Sequence, residues 1–382
     1  MKKNKKILLC NDLLVNGGAE ILLQIITKGL INRGYDVTIM CRWDALKELK
    51  KQKNSRFPSK THFITDRYPT RKYKKFPPMT VINFMIRKAY RLMVMIRVVL
   101  KNYDTAVAML EGHLMKDVAS LRAKRKIAWI QCDYERFQNE DRCWKYFANT
   151  EEQVKCMKRF DKIVCVSKSL KKGVIRAVGD TGNLCVRYNP IDVKEILELS
   201  KKSSNYVKES DKKLLVSVGR LHETKNFKTL LEACYLLKDK DRFDLWIIGD
   251  GPQKEELTKY IKDNGLTNIK LLGYQSNPYP LIKQADIFVS TSITESYGLA
   301  VQEALILGVP VIAVKNPGII ESLDPEFGIL VENSPENISQ AVYGFLSDPA
   351  LLNMYRIKIK EKFNKNSLYE DRIKKICDLI GR

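Results

Sequence analysis

Short apolar runs recur along this chain, and each is followed by a stretch with helical spacing. "KILLCN" precedes "GGAEILLQIITKGLINRGY", a helix expected to end near Gly34, and "DVTIMC" comes next. "YDTAVAML", "RKIAWIQ" and "DKIVCVS" repeat the arrangement. A strand covered on both faces reads as a continuous apolar run, whereas a half-exposed strand alternates. Strands of this kind separated by helices predict a parallel sheet with helices on both faces.

A second series restarts at "KKLLVSVGRL". "NFKTLLEACYLLKDK" sets Phe227, Leu230, Leu231, Cys234 and Leu237 on one helical face. "FDLWIIGDGP", "IKLLGY", "ADIFVSTS" and "PVIAV" are its further strands, and "YGLAVQEALILG" is a helix stopped by Gly308 and Pro310. The joint falls near "VRYNPID", Val186 to Asp192, at an Asn-Pro step. The expected organisation is therefore an α/β chain of two Rossmann-like, doubly wound domains, 1–188 and 189–366, facing a central cleft. A last helix, 367–382, packs back on the first domain. Ligands of such sheets bind beyond the carboxyl ends of the strands.

The formal charge of +23 points to an anionic partner: nucleic acid, a lipid surface or phosphorylated substrates. The basic residues concentrate in 50–101. Residues 50–78 read as a basic loop, and Met79 to Tyr103 as a basic amphipathic helix. That helix suits either a membrane interface or ordinary packing on a sheet. The 9 cysteines form no C-x-x-C pair, which argues for a reducing compartment and against a zinc site or disulfide framework. "MKKNKKILLCNDLL" has too short an apolar run for a signal peptide and reads as a first strand. No run approaches the roughly 20 apolar residues of a membrane span.

Two segments carry chemistry. In "GRLHETKNF" a strand ends at Gly219, and Arg220 and Lys225 follow before a helix. Two cations at a strand's carboxyl end can hold a diphosphate, one as a fork of donors and one as a point charge. His222 lies between them. In "ESYGLAVQEA" Gly298 and Leu299 open a helix with free backbone N–H groups, Glu295 precedes it and Glu303 lies inside it. An acid in an apolar helix needs a partner. Sugar or ribose hydroxyls would serve, and so would a helix cap for Glu295 and a basic neighbour for Glu303.

Taken together these segments resemble the donor domain of retaining GT-B glycosyltransferases, the group marked by E-x7-E, here Glu295 and Glu303. "VGRLHETKN", "LWIIGDGP", "IKLLGY", "ADIFVSTSITESYGLAVQEAL" and "GVPVIA" follow that group's order, and "NGGAEILL" looks like its glycine loop. The resemblance implies transfer of a sugar from a nucleotide-diphosphate sugar, a UDP-sugar, to a hydroxyl acceptor with retained configuration. It gives Arg220 and Lys225 the diphosphate, Glu295 the transferred sugar and Glu303 the ribose. Gly298 and Leu299 border the distal phosphate. Gly219, Gly249, Gly251 and Tyr274 border the nucleotide, and Gly17 and Gly18 let the first domain's backbone approach donor and acceptor.

The group needs no bound metal or cofactor, since cations and a helix N-terminus can neutralise a departing diphosphate. The lone D-x-D, Asp239 and Asp241, reads as a solvated turn. Many members of the group carry a histidine after a first-domain strand, in a setting like "IAWIH"; this chain has "IAWIQ", with Gln131 in that place. Gln131 can hydrogen-bond a sugar but cannot take a proton. His113, beside Glu111 in "LEGHLMKD", is the substitute candidate on the acceptor side, and His62 has no assigned role. The basic 50–101 region favours a lipid-linked or surface-polysaccharide precursor, such as a capsule precursor, and a cytoplasmic enzyme peripheral on an anionic inner membrane face. The competing readings are a nucleic-acid-binding protein, for which no motif is present, and a non-catalytic glycosyltransferase-like subunit. A nicotinamide enzyme fails for want of G-x-G-x-x-G after the first strand.

Overall fold

A computed structural model describes residues 5–14, 18–51, 57–65, 93, 96, 98, 100–139, 146–209, 211–237, 243–363 and 367–382. The expected basic loop lies largely outside the described residues, as do most of the amphipathic segment, Gly17, Asp239 and Asp241. The chain forms two compact units, Met1–Pro190 with Glu370–Arg382, and Ile191–Tyr369.

The first unit is built on strands β1 (Lys6–Cys10), β2 (Asp36–Cys41), β3 (His62–Thr65), β4 (Thr105–Ala108), β5 (Arg125–Ile130), β6 (Lys162–Cys165) and β7 (Leu184–Val186). Their spatial order is β3-β2-β1-β4-β5-β6-β7, and every pairing is parallel. Ile7, Leu8, Leu9, Ala106, Val107, Ala108, Ile127, Ala128 and Trp129 are fully buried, which is why these strands read as unbroken apolar runs. The Gly18–Ile31 helix buries Leu22, Leu23, Ile26 and Leu30. The Ser367–Gly381 helix belongs to this unit from Glu370 onward. A Cβ on Gly29 would come within 2.8 Å of Ile373, and Thr105 Oγ1 donates to the Ile380 carbonyl at 2.8 Å.

The second unit repeats the plan with β8 (Lys213–Val218), β9 (Phe243–Ile248), β10 (Ile269–Gly273), β11 (Ile287–Ser290), β12 (Val311–Val314) and β13 (Gly328–Val331). Their order is β10-β9-β8-β11-β12-β13, again all parallel. Two apolar layers pack on its faces. One contains Phe227, Leu230, Leu231, Val342 and Phe345, and the other Phe288, Val301, Leu305 and Ile319.

At the amino edge both sheets use the same device. Asp104, just before β4, accepts from the backbone N–H of Lys6 at 2.9 Å and from Lys124 Nζ at 2.7 Å. Asp286, just before β11, accepts from the N–H of Leu214 at 2.9 Å, from Lys208 Nζ at 2.9 Å and from Arg356 at 2.8 Å. Burial alone would raise the Asp286 pKa; the bonds from Lys208, Leu214 and Arg356 outweigh it and hold the carboxyl below its ordinary range. Each aspartate thus fastens the two strands where the sheet order reverses.

Candidate functional site

Strands β8 and β11 are neighbours in space but separated in sequence, so the connections that leave their carboxyl ends diverge to opposite sides of the sheet. This divergence makes a crevice at a strand edge. The segment after β8 turns through a short 3-10 helix, Glu223–Lys225. The segment after β11 runs from Thr291 into the Leu299–Ile306 helix. Two bonds fasten them together: Ile293 N–H donates to the Thr224 carbonyl at 2.9 Å, and Thr291 Oγ1 to the Lys225 carbonyl at 2.9 Å.

Against this frame Lys225 Nζ donates to Glu295 Oε1. The two side chains are 25% and 18% exposed, so the pair is shielded but reachable. Arg220 is exposed and has no hydrogen bond or ion pair to a described residue. Glu303, inside the helix, accepts from the Tyr279 hydroxyl at 3.1 Å. Glu295 is therefore held by a lysine, where a helix cap was the alternative, and Glu303 takes a bond from a tyrosine.

The glycines make close backbone packing possible. Gly249 has φ 146°, and a Cβ there would lie 1.8 Å from the Gly219 carbonyl oxygen. Gly249 N–H reaches the Gly273 carbonyl at 2.9 Å, and Leu221 N–H the Asp250 carbonyl at 3.0 Å. Gly219, Gly249, Gly251 and Gly273 thus line up along the carboxyl ends of β8, β9 and β10, with Tyr274 56% exposed beyond them. Gly298 sits at the N-cap in the left-handed region, φ 67°, where a Cβ would meet Ile319 at 2.4 Å. Leu299 is the first helical residue.

Sequence reasoning missed the support under Glu295. Asn316 Nδ2 donates to the Ser292 carbonyl at 3.0 Å, and a Cβ on Gly318 would lie 1.9 Å from the Glu295 carbonyl oxygen. The Asn-Pro-Gly at 316–318 was the available signal, since Asn before Pro marks a helix start, with Asn316 as the cap and Pro317 in the first position.

The first unit has its own order reversal, between β1 and β4. There His113 Nε2 lies 3.1 Å from Asp12 Oδ1. Glu111 Oε2 accepts from Gln131 N–H at 3.1 Å, and Gln131 Nε2 donates to the Met109 carbonyl at 2.7 Å. His113 and Gln131 therefore belong to one polar edge. Asp12 was missed; its place in "CND", just past β1, was the signal. Glu20 is buried in the first turn of the helix that follows β1, and burial pushes its carboxyl pKa up against the opposing bond from Asn11. Gly18 opens that helix and is exposed. His62 stands on β3, 3.7 Å from Asp36, away from this edge.

Residues 16–195 match the family model described as Glycosyltransferase Family 4, and residues 198–366 that of Glycosyl transferases group 1. The chain belongs to the GT-B-fold glycosyltransferases. Among solved structures, this GT-B chain is similar to HepE of Anabaena in complex with UDP and glucose. The TM-score is 0.72 at 18% identity, covering 99% of this chain and 100% of that one. TarM gives a TM-score of 0.75 at 14% identity, with 100% and 99% covered, a likeness of fold. Among curated proteins, the GT-B chain is 32% identical over 196 residues to the N-acetylgalactosamine-N,N'-diacetylbacillosaminyl-diphospho-undecaprenol 4-alpha-N-acetylgalactosaminyltransferase of Campylobacter jejuni, covering 50% of this chain and 52% of that protein. It is 30% identical over 145 residues to the lipopolysaccharide core biosynthesis glycosyltransferase LpsE of Rhizobium meliloti, covering 37% and 42%. The chain thus spans about half, or less, of the length of these curated relatives. Among the described residues, no helix of the GT-B chain is long and apolar enough to cross a membrane.

Proposed function

We propose that this chain is a retaining, metal-independent glycosyltransferase that moves a hexosyl unit from a UDP-sugar to a hydroxyl of a lipid-linked or surface-polysaccharide precursor. The observation that carries the reading is the Lys225–Glu295 pair beside exposed Arg220 on one strand edge. A carboxylate holding a lysine keeps that cation aimed without cancelling its reach, while an exposed guanidinium offers a bidentate fork to phosphate oxygens.

In the reaction the bond from the sugar's anomeric carbon to the diphosphate oxygen breaks, and the acceptor oxygen bonds to that carbon on the same face. The acceptor proton passes to the departing diphosphate oxygen. Negative charge grows on the leaving group, and Arg220 and Lys225 stabilise it most when it is greatest. Glu295, turned to Lys225, orients the transferred sugar. Glu303 and Tyr279 hold the ribose hydroxyls, and Gly298 and Leu299 offer N–H groups to the distal phosphate. The backbone of Gly219, Gly249 and Gly251, with Tyr274, borders the nucleotide. We assign Gly17 and Gly18 to the donor phosphates as well. His113 and Gln131 handle the acceptor hydroxyl. The charge of +23 suits an anionic membrane face in the cytoplasm where such acceptors are held.

A thermal-shift screen of UDP-, GDP- and ADP-sugars tests the donor half, since a bound nucleotide raises stability by mass action. UDP-sugars are expected to give the largest shift. No shift with any of the three would overturn the reading.

A further inference from the structure

The turn between Arg220 and Lys225 has to hold two cations at fixed positions, and the structure shows what holds it. His222 has an extended backbone and caps the Glu223–Lys225 turn with its ring. Its Nδ1 accepts the Thr224 N–H at 3.3 Å and lies 3.2 Å from Thr224 Oγ1. The backbone N–H can only donate, so Nδ1 is the bare nitrogen and the ring proton sits on Nε2. The His222 carbonyl takes the Lys225 N–H at 2.9 Å, and Glu223 takes that of Asn226 at 3.0 Å. Asn226 closes the turn in the left-handed region, φ 53°, a conformation asparagine tolerates better than most residues. Its side chain is fixed by Asn333 at 2.9 Å and by Thr229 at 2.9 Å. The peptides between these two anchors are the ones that receive Ile293 N–H and Thr291 Oγ1 from the Glu295 segment.

We infer that His222 is a positioning residue of the diphosphate clamp: its Nδ1 cap sets the turn that turns Lys225 toward Glu295 and keeps Arg220 at the strand end. The inference rests on the donor reading above. Without the cap, Thr224 N–H loses its acceptor and the turn samples arrangements in which Lys225 leaves Glu295. Apparent affinity for a diphosphate then falls by the fraction of clamps out of place.

The test is calorimetric titration of the full chain with UDP and, separately, with uridine, which lacks the phosphates. His222→Ala is expected to weaken UDP binding about fivefold, the effect of losing one cap, and to leave uridine binding unchanged. His222→Asn, whose Oδ1 can accept the same N–H, is expected to restore UDP binding to within about twofold. Equal weakening of UDP and uridine, or failure of His222→Asn to restore, would overturn the positioning role while leaving the donor reading intact. A wild-type chain that binds neither UDP, GDP nor ADP would overturn the donor reading and the inference with it.

Discussion

The two units share a sheet order and an amino-edge aspartate, yet their carboxyl edges carry opposite chemistry. The second unit offers an exposed guanidinium, a lysine held by a carboxylate and a helix N-terminus, a set suited to an anion. The first offers Asp12 with His113 and Glu111 with Gln131, groups suited to hydroxyls. The fold is thus secured at one edge of each sheet and specialised at the other. The amino edge can be built alike twice because it only has to join strands. The carboxyl edge, where connections diverge, is free to vary.

The sharpest way to break this contrast is to remove the anion-binding set. Lys225→Ala and Glu295→Ala are each expected to lower transfer by about 10²- to 10³-fold, as loss of a preorganised charge contact does. Circular dichroism and thermal melts should stay close to wild type. Near-normal turnover in either variant, with the donor chosen by thermal shift, would remove the clamp assignment.

The second effect belongs to the amino edges. Asp286→Ala should cost about 2–3 kcal/mol in urea denaturation, below the cost for a fully buried pair because Lys208 and Arg356 are 28% and 37% exposed. Asp104→Ala should cost less, since its Lys124 partner is 69% exposed. A larger loss at Asp104 would reverse the ranking.

The Asp286 contribution also has a pH signature. Its folded pKa is depressed, so the stability it provides is complete above the unfolded value of about 3.9 and is lost as pH falls through the folded pKa. Asp286→Asn should remove that part of the acid dependence. Denaturation midpoints measured from pH 5 downward would show it as a flatter curve than wild type.

The smallest effect is expected on the hydroxyl side. His113→Ala should lower transfer roughly fivefold to tenfold, the worth of one hydrogen bond, with UDP affinity unchanged. If UDP affinity fell with it, the division of labour between the edges would be wrong.

How much of this was legible varies by residue. The strands announced themselves because a sheet covered on both faces needs apolar residues at every position, as in "KILLC" and "TAVA". Gly308 marked the end of the Leu299–Ile306 helix, and Ser367 the start of the last one. The partners of the polar residues were not legible. Nothing in the spacing of Glu303 names Tyr279 as its hydrogen-bond donor, and nothing in "CND" names His113 as the neighbour of Asp12.

The sequence by itself determined the alternation of strand and helix, the two-unit plan and the set of charged residues at strand ends. These follow from local burial and from backbone requirements that each short segment carries. Only the tertiary structure decided that Lys225 meets Glu295, that Gly318 underlies the Glu295 carbonyl and that the turn capped by His222 receives the segment before Glu295. All three contacts join connections leaving different strands. Their geometry is set by which strands the sheet places side by side, which no single stretch of residues encodes.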